Sequence, residues 1–524
     1  MKKRTLTILT AVAFSVTASL SAQEKKKDWG SLHGGIESNA AFYKKDDNLP
    51  DAKKHGNNTY LNLKYDYRNF SVGLQYEIFE PPMRSFENLK GNALTQYYAN
   101  YSDSKINITL GSFYEQYGSG LIFRAYEERA LGVNNSLRGL NVKYSPTDWL
   151  NVKVMGGQPR RYLTYADAVL WGGDAEFSIS KLWNREASYD ITLGGSWVGR
   201  HNTETVDKSP DPTNTNLYSI RTGFSNALFN FGVEYTGKGA SQSFAESVGD
   251  FVSESGDALL VNMDYTRENF GVSGIFRRIE HMDFRIDNKK EIIYIPMNYV
   301  PALTKQHKYA LPALYPHQSN LAGEIGGQLD VYWDIKAGWL GKYPLKVSIN
   351  TSHYKSLGLN VNETMPFFGR DGKELFTEAS IELGKRLSSS VKANLGIYFQ
   401  KVNHNSELLK SFIQVADVLW KINRKASLRT EVQHMKTDMP EKGWLYGLIE
   451  FGLAPHWSVY VNDMYSYGAE KKEHYYNFGG SFTYKSLRLT AAYGRTRAGT
   501  QCVGGICRFV PEYQGATVGL SYVF

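Results

Sequence analysis

The chain has 524 residues, a formal net charge of +8 and negative mean hydropathy, although 14% of its residues are aromatic. No later stretch contains 18 consecutive apolar residues, which excludes an α-helical membrane span, and the long 3.6-residue periodicity of a large helical enzyme is almost absent. The positive charge is spread along the chain, which argues against nucleic-acid binding.

The first residues predict a secretory signal peptide. Lys2, Lys3 and Arg4 precede an apolar run that extends to Leu20, and Ser21-Ala22 supplies a small-residue cleavage site. We therefore expect two regions, a signal peptide at 1–22 and a mature chain at 23–524.

From Ser31 onward, apolar and polar residues alternate in short segments. Leu61, Leu63, Tyr65 and Tyr67 share one face of an extended strand, and Asn62, Lys64 and Asp66 share the other. Charged groups on a single face are solvated in a water-filled lumen, whereas in the core of a β-sandwich they would be unpaired and costly. The pattern predicts transmembrane β-strands with one face toward lipid and the other toward a polar interior.

Short and long connections alternate along the chain, as in antiparallel membrane barrels. The long ones lie near 44–57, 80–90, 115–135, 157–170, 200–214, 238–255, 281–319, 355–375 and 495–513. The alternation predicts an all-β fold, a single large antiparallel transmembrane β-barrel of about 24 strands, with 22 or 26 as alternatives. Two or three soluble β domains would need linkers or composition shifts, and none is visible. We expect no separate plug domain, so any occlusion of the lumen must come from the long loops.

The first segment of interest runs from Tyr114 to Gly139 and mixes apolar residues with charges of both signs. An inward loop of this composition would place a transverse field across a pore and select on charge. The alternative is a solvated outer hairpin with weak surface ion pairs. The candidate constriction residues are Arg124, Glu127, Glu128, Arg129 and Arg138.

Two further segments can carry function. The stretch 281–319 is long and rich in Pro and Tyr, which is typical of a ligand or partner surface or of a loop packed into the lumen. The stretch 495–513 contains Arg495, Arg497 and Arg508 and is interpreted either as a surface for anionic groups such as lipid headgroups or as a stapled outer loop. Its Cys502 and Cys507 predict a disulfide, because the spacing is short and an exported chain meets an oxidising compartment.

The predicted lumen face carries more basic than acidic groups. This predicts a weak preference for anions, because cationic linings favour them. The assigned residues are Lys64, Asp66, Glu77, Lys143, Lys153, Arg221, Glu234, Lys392 and Arg488. The histidines show no metal-ligand spacing, and no Gly-x-Ser-x-Gly nucleophile motif is present, so we expect no cofactor, no metal and no enzymatic activity.

The chain ends in an alternating strand, Gly515 to Phe524, whose lipid face ends in Tyr522 and Phe524. It resembles the C-terminal strand of bacterial outer-membrane barrels, whose last aromatic is recognised by the barrel assembly machinery. The stretches 116–121 and 134–139 are similar to those of an uncharacterised family of large Bacteroidota outer-membrane barrels, which transfers no catalytic residues. TonB-dependent transporters are disfavoured, because they carry an N-terminal plug of more than a hundred residues.

These features predict a barrel in the cell outer membrane of a Gram-negative bacterium, in contact with outer-membrane lipid. The favoured function is a porin-like channel for small solutes. The alternative is a non-conducting barrel that scaffolds or docks export or surface machinery through its long loops, and an outer-membrane enzyme is a distant third.

Overall fold

The computed structural model describes residues 29–44, 53–202, 213–245, 250–288, 295–300, 302–338, 341–358, 366–404, 406–503 and 506–524, without the side chains of 242–252 and 501–507. The predicted signal peptide at 1–22 lies outside the described residues.

Twenty-four strands form the wall of the barrel. They are β1 Ser31–Tyr43, β2 His55–Tyr67, β3 Phe70–Phe79, β4 Gly91–Ser102, β5 Ile106–Phe113, β6 Leu137–Thr147, β7 Leu150–Arg161, β8 Ala168–Ser178, β9 Tyr189–Asn202, β10 Asn214–Asn226, β11 Phe229–Ala245, β12 Asp250–Arg267, β13 Phe270–Glu280, β14 Gly323–Ile335, β15 Leu345–Ser356, β16 Glu374–Arg386, β17 Val391–His404, β18 Glu407–Lys421, β19 Ala426–Thr437, β20 Gly443–Leu453, β21 Trp457–Tyr465, β22 His474–Tyr484, β23 Leu487–Thr496 and β24 Tyr513–Val523.

Smaller elements lie in the connections. Two short hairpins, Gln116–Tyr117 with Phe123–Arg124 and Glu127–Glu128 with Val133–Asn134, lie between β5 and β6. The hairpin Gly499–Val503 with Ile506–Val510 lies between β23 and β24. The remaining elements are the two-residue strand Thr164–Tyr165, the 3-10 helix Glu87–Leu89 and the α-helix Ile179–Trp183.

The sheet closes on itself, because β1 pairs antiparallel with β24 from Gly35 opposite Val523 to Tyr43 opposite Gly515. Neighbouring strands along the chain also pair antiparallel around the ring. Closure satisfies the backbone groups of the edge strands, which a bilayer core requires. The predicted closed barrel of 24 strands is confirmed.

The connections define two ends of the barrel, which we call the short-turn end and the long-loop end. Two-residue turns at 68–69, 148–149 and 268–269 lie at the short-turn end, and the segments 114–136 and 281–322 leave the long-loop end. The prediction of a long connection at 238–255 is wrong, because most of that segment continues β11 and β12. Pairing of Ser241 to Ala245 with Asp250 to Glu254 extends these two strands as a hairpin.

The two faces of the wall differ as the alternation predicts. Outward side chains such as Val459, Phe478 and Val518 are about half exposed and form the apolar outer belt. Among the described residues, no helix is long and apolar enough to cross a bilayer.

Candidate functional site in the barrel lumen

The described residues of two connections fold into the lumen, and together we call them the lumen insert: residues 114–136, and residues 281–288, 295–300 and 302–322 of the second connection. The Ser119 amide donates to Glu234 on β11 at 2.9 Å. The Tyr309 hydroxyl donates to Asp417 at 3.3 Å, four residues before β18 ends at the short-turn end. The insert therefore reaches well past the middle of the barrel.

Apolar contacts fix the insert to the inner wall in two places. In the first cluster, Tyr117, Ile122 and Phe123 pack with Phe284 and Met297 from the other segment. The wall side chains of this cluster are Met155, Leu170, Val198 and Leu217. In the second cluster, Tyr309, Leu311 and Leu314 pack against Tyr398, Ile413, Val415, Met435 and Trp444. Each fully buried large apolar side chain contributes about 1.5–3 kcal/mol, so the insert is a packed part of the fold.

The two segments of the insert also bind each other. The Tyr299 amide donates to the Gly120 carbonyl, and the Arg124 amide donates to the Met297 carbonyl, both at 2.8 Å. The guanidinium of Arg124 stacks on the ring of Tyr299, 3.8 Å from its centre. Gly120 has a positive φ of 96°, which a residue with a side chain rarely adopts. Separate regions of the chain thus form one continuous body across the lumen.

The candidate constriction residues Glu127 and Arg129 lie in the lumen and form an ion pair at 3.2 Å. Arg129 also pairs with Glu37 of β1 at 2.7 Å and stacks on the ring of Tyr60. Glu127 accepts from Gln75 of β3 at 3.0 Å. These contacts join the 114–136 segment to the wall at β1–β3.

The other three candidates have different places. Arg124 lies at the junction of the two insert segments, and the Glu128 carboxylate accepts from the Ala130 amide at 3.2 Å. Assigning Arg138 to the lumen is wrong, because it alternates with the inward Leu137 and Asn141 on β6 and therefore points outward. There it stacks on Tyr165, 3.8 Å from the ring centre.

Most of the predicted lumen charges are bound to partners of opposite sign. Glu115 accepts from Lys143 at 2.8 Å and from Lys153 at 3.1 Å. The guanidinium of Arg160 donates to Glu77 at 2.9 and 2.6 Å, with both side chains buried. Arg221 pairs with Asp174 and Glu176, and Lys64 pairs with Asp66. The excess of basic over acidic residues on the predicted lumen face therefore does not give the net charge along the path of a solute.

The insert buries the inner wall unevenly along the strands. On β15, Lys346 near the short-turn end is exposed, whereas Asn350 and Tyr354 are fully buried. The same change from exposed to buried occurs on β17, between Lys392 and Tyr398. Over most of the circumference the lumen is thus open at the short-turn end and filled toward the long-loop end.

The inner wall of β21–β24 is different, and we call it the open sector. Its inward side chains stay partly exposed along the strands and are buried only at Gly494, Gly515 and Gly519. The insert therefore covers these strands less closely than it covers β2–β19, although Met464 and Tyr475 near the long-loop end pack against its second apolar cluster.

Small residues in register line the open sector. Gly479, Ala492 and Thr517 lie opposite one another in one row across β22–β24, and the row continues to the larger Tyr460 on β21. The next row toward the short-turn end is Ser458, Ser481, Thr490 and Gly519, and it continues to Asn39 on β1. Small side chains leave room between the wall and the insert. This sector was not predicted from the sequence, although its small inward residues were the signal.

The Gly499–Val510 hairpin lies at the long-loop end of this sector. Within the hairpin, Arg508 donates to the Leu131 carbonyl at 2.8 Å, and the Thr500 hydroxyl accepts from the Gln318 side chain at 3.4 Å. Just before the hairpin, Arg497 donates to the Leu314 carbonyl at 3.4 Å. The hairpin thus touches both segments of the insert. Beside it, a cavity of about 350 Å³ is lined by Glu37, Asn39 and Arg508, among other residues.

Four charged side chains at this rim form ion pairs. Glu473, in the connection between β21 and β22, forms ion pairs with Lys471 at 2.6 Å and with Arg495 at 3.1 Å. The hydrogen bond from Lys471 is the largest effect that lowers the pKa of Glu473, to about 2. Arg495 also pairs with Glu512. The rim therefore presents both signs of charge.

The C-terminal residues and the cysteines lie outside the lumen insert. Phe524 exchanges backbone hydrogen bonds with Gly34 at 2.9 and 3.0 Å, and Tyr522 lies on the outer face of β24.

Cys502 and Cys507 lie directly opposite each other in their hairpin. Their side chains lie outside the described part of the chain, so the disulfide stays a prediction. In the described ranges, no group of three or more His, Cys, Asp or Glu could hold a metal ion.

A closed barrel with an apolar outer belt and a polar lumen defines the class of transmembrane β-barrels. The chain belongs to a family of unknown function, DUF6029, whose model matches residues 1–524. No curated protein matches the chain.

Solved barrel structures are similar in fold. The E. coli P pilus tip assembly intermediate PapC-PapD-PapK-PapG matches with a TM-score of 0.50 and 10% identity, over 97% of this chain and 63% of that chain. The P pilus usher (PapC) translocation pore gives a TM-score of 0.44 at 9% identity, over 94% of this chain and 99% of that chain. The siderophore receptor PirA from Pseudomonas aeruginosa gives 0.43 at 10% identity, over 95% and 81%. At such identities the similarity concerns the fold alone.

Proposed function

We propose that the protein is an outer-membrane channel that passes small solutes along the open sector of its lumen. The observation that carries the proposal is the contrast between the buried wall of β2–β19 and the partly exposed wall of β21–β24. Large barrels enclose aqueous lumens, and inward loops narrow them to a selective passage. The expected setting is the Gram-negative outer membrane, of the Bacteroidota type that the sequence resembles. The proposal assigns the protein no catalytic step.

The insert sets the width of the passage. Its burial against the wall and its ion pairs with Lys143, Lys153 and Glu37 make it a fixed partition. A solute therefore passes between this partition and the small residues of the open sector. The short-turn end, which we place on the periplasmic side, gives it a wide water-filled exit.

The alternative function, a scaffold that docks machinery through its long loops, has less support. The 114–136 and 281–322 segments were the main candidates for a docking surface, and both fold into the lumen. The hairpin Gly499–Val503 with Ile506–Val510, whose Phe509 is exposed, is the part of the described chain that still favours this alternative.

Single-channel recording of the purified barrel in planar bilayers tests the proposal. Protein that migrates as a folded barrel on unheated gels should give small, discrete conductance steps, because one narrow sector conducts. Heat-denatured protein from the same preparation is the control and should give none. The absence of steps in folded protein would contradict the channel and favour the scaffold.

A further inference from the structure

We infer that the open sector selects neutral, hydroxyl-bearing solutes of about monosaccharide size over inorganic ions. The inference rests on the proposed channel and names its substrate class. It follows from the chemistry of the inward side chains of β21–β24 and from the pairing of charges elsewhere in the lumen.

The lining of the open sector is almost free of charge. Among the described inward positions of β21–β24, the single charged side chain is Arg488, at the short-turn end. The other polar inward side chains are Ser458, Tyr460, Asn462, Tyr475, Asn477, Ser481, Thr483, Thr490, Thr496, Tyr513, Thr517 and Ser521. Rings of charged side chains give pores their ion selectivity. This wall has no such ring, so it offers an ion few groups that could replace the water molecules of its hydration shell.

Several of these groups are free to bind a solute. Among the described residues, the side chains of Asn462, Ser481, Thr490 and Thr517 have no hydrogen-bond partner within the protein, and all four are partly exposed. Amide and hydroxyl groups both donate and accept, so they can replace the water molecules around a polyol.

One aromatic side chain adds an apolar surface to this polar wall. Tyr460 is partly exposed in the row that contains Gly479 and Ala492, and its hydroxyl lies 3.5 Å from the Asn477 amide oxygen. A ring beside small residues offers a flat contact for the C–H face of a sugar, while its hydroxyl and the neighbouring amide bind the O–H groups.

Most of the fixed charges named for the lumen are paired, and Arg497 and Arg508 at the long-loop end donate to backbone carbonyls. Arg221, Glu115 and Arg160 face the insert or the filled wall, and each pairs with a group of opposite sign. Near the sector, Arg129 pairs with Glu37. Paired charges have fields that fall off quickly in water, so they bias ion passage weakly. This inference replaces the weak anion preference expected from counting the lumen charges.

The test combines two measurements on the full-length barrel. Proteoliposome swelling measures uptake of the neutral probes arabinose, glucose and sucrose, and bilayer recording in a KCl gradient measures the reversal potential. We expect rapid swelling in arabinose and glucose and slower swelling in sucrose. We also expect cation and anion permeabilities within about threefold of each other, because no charged ring faces the path.

Two variants sharpen the test. Thr490→Lys adds a charge to the sector and should shift the reversal potential toward anion preference while slowing glucose uptake. Arg221→Gln removes a lumen charge that faces away from the sector and should leave the reversal potential unchanged. The folding of Arg221→Gln is checked by heat-modifiable mobility on gels. Lys392→Gln, at the exposed short-turn end of β17, serves as a second control and should likewise leave the reversal potential unchanged.

The outcomes separate the two proposals. Ion conductance without sugar uptake, or selectivity for one ion sign above about tenfold, would overturn the inference and leave the channel intact. An unchanged reversal potential in Thr490→Lys would also overturn it, because the conducting path would then lie elsewhere. Neither sugar uptake nor ion conductance in folded protein would overturn both.

Discussion

The carboxylate of Glu115 lies 3.1 Å from the ammonium of Lys153, three residues from the short-turn end of β7. Glu115 is the second residue after β5, yet it reaches down the lumen to this depth. It also accepts from Lys143 at 2.8 Å and from the Asn141 amide at 3.0 Å. One buried carboxylate thus holds the start of the insert against two neighbouring strands.

We predict that Glu115→Gln loosens the 114–136 segment. The change removes a charge between two lysines and should lower the free energy of unfolding by about 1–3 kcal/mol, as loss of charged hydrogen bonds does. Denaturant titration in detergent measures this loss, and noisier, larger conductance steps should accompany it. The matched control is Glu128→Gln in the same segment, where the carboxylate contacts a backbone amide. Equal stability of the two variants would contradict the anchoring role of Glu115.

Leu311 anchors the second segment of the insert. Its side chain is fully buried against the wall, and its amide donates to the Gln433 side chain at 2.8 Å. Truncation in Leu311→Ala should cost about 2–5 kcal/mol and raise hydrogen exchange across 305–315. Lys308→Ala, at a half-exposed side chain three residues away, is the control and should leave exchange unchanged. Equal protection in both variants would show that the segment is held by other contacts.

The barrel was predictable from sequence because its determinants are local. Alternation with a period of two gives each strand its lipid face, and the short turns give the pairing, as at Tyr67 and Phe70. The course of the insert was not predictable, because its partners are distant in sequence. Ser119 binds Glu234, and Asn298 binds the Leu121 carbonyl. Arg138 was placed in the lumen because the segment Tyr114 to Gly139 was treated as one loop. In the structure β6 begins at Leu137, and the alternation of that strand turns Arg138 to the outer face.

The two cysteines should be joined. Directly opposed residues of an antiparallel pair have Cα atoms about 4.5–5.5 Å apart, which falls in the range that a disulfide spans. A thiol-reactive label on unfolded, unreduced protein should therefore find no free thiol, and reduction should release two. Labelling of both cysteines before reduction would rule out the bond.

Phe524 closes the seam between the first and last strands. Its ring lies against Gly34, where an added Cβ would overlap it, and its outer edge is exposed. We predict that deleting Phe524 lowers the amount of barrel in the outer membrane several-fold, with a smaller effect on the stability of the folded fraction. Surface labelling and denaturant titration measure the two effects. Wild-type membrane levels of the deletion variant would contradict a recognition role.

The central claim, that solutes pass along the open sector, is tested most directly by a pair of adjacent substitutions on β23. Ala492→Trp places a large ring in the gap, whereas Ala491→Trp places the same ring on the lipid face of the same strand. Single-channel conductance is measured for both. We predict a loss of at least about half of the conductance in Ala492→Trp and wild-type conductance in Ala491→Trp. Wild-type conductance in both variants would contradict the account.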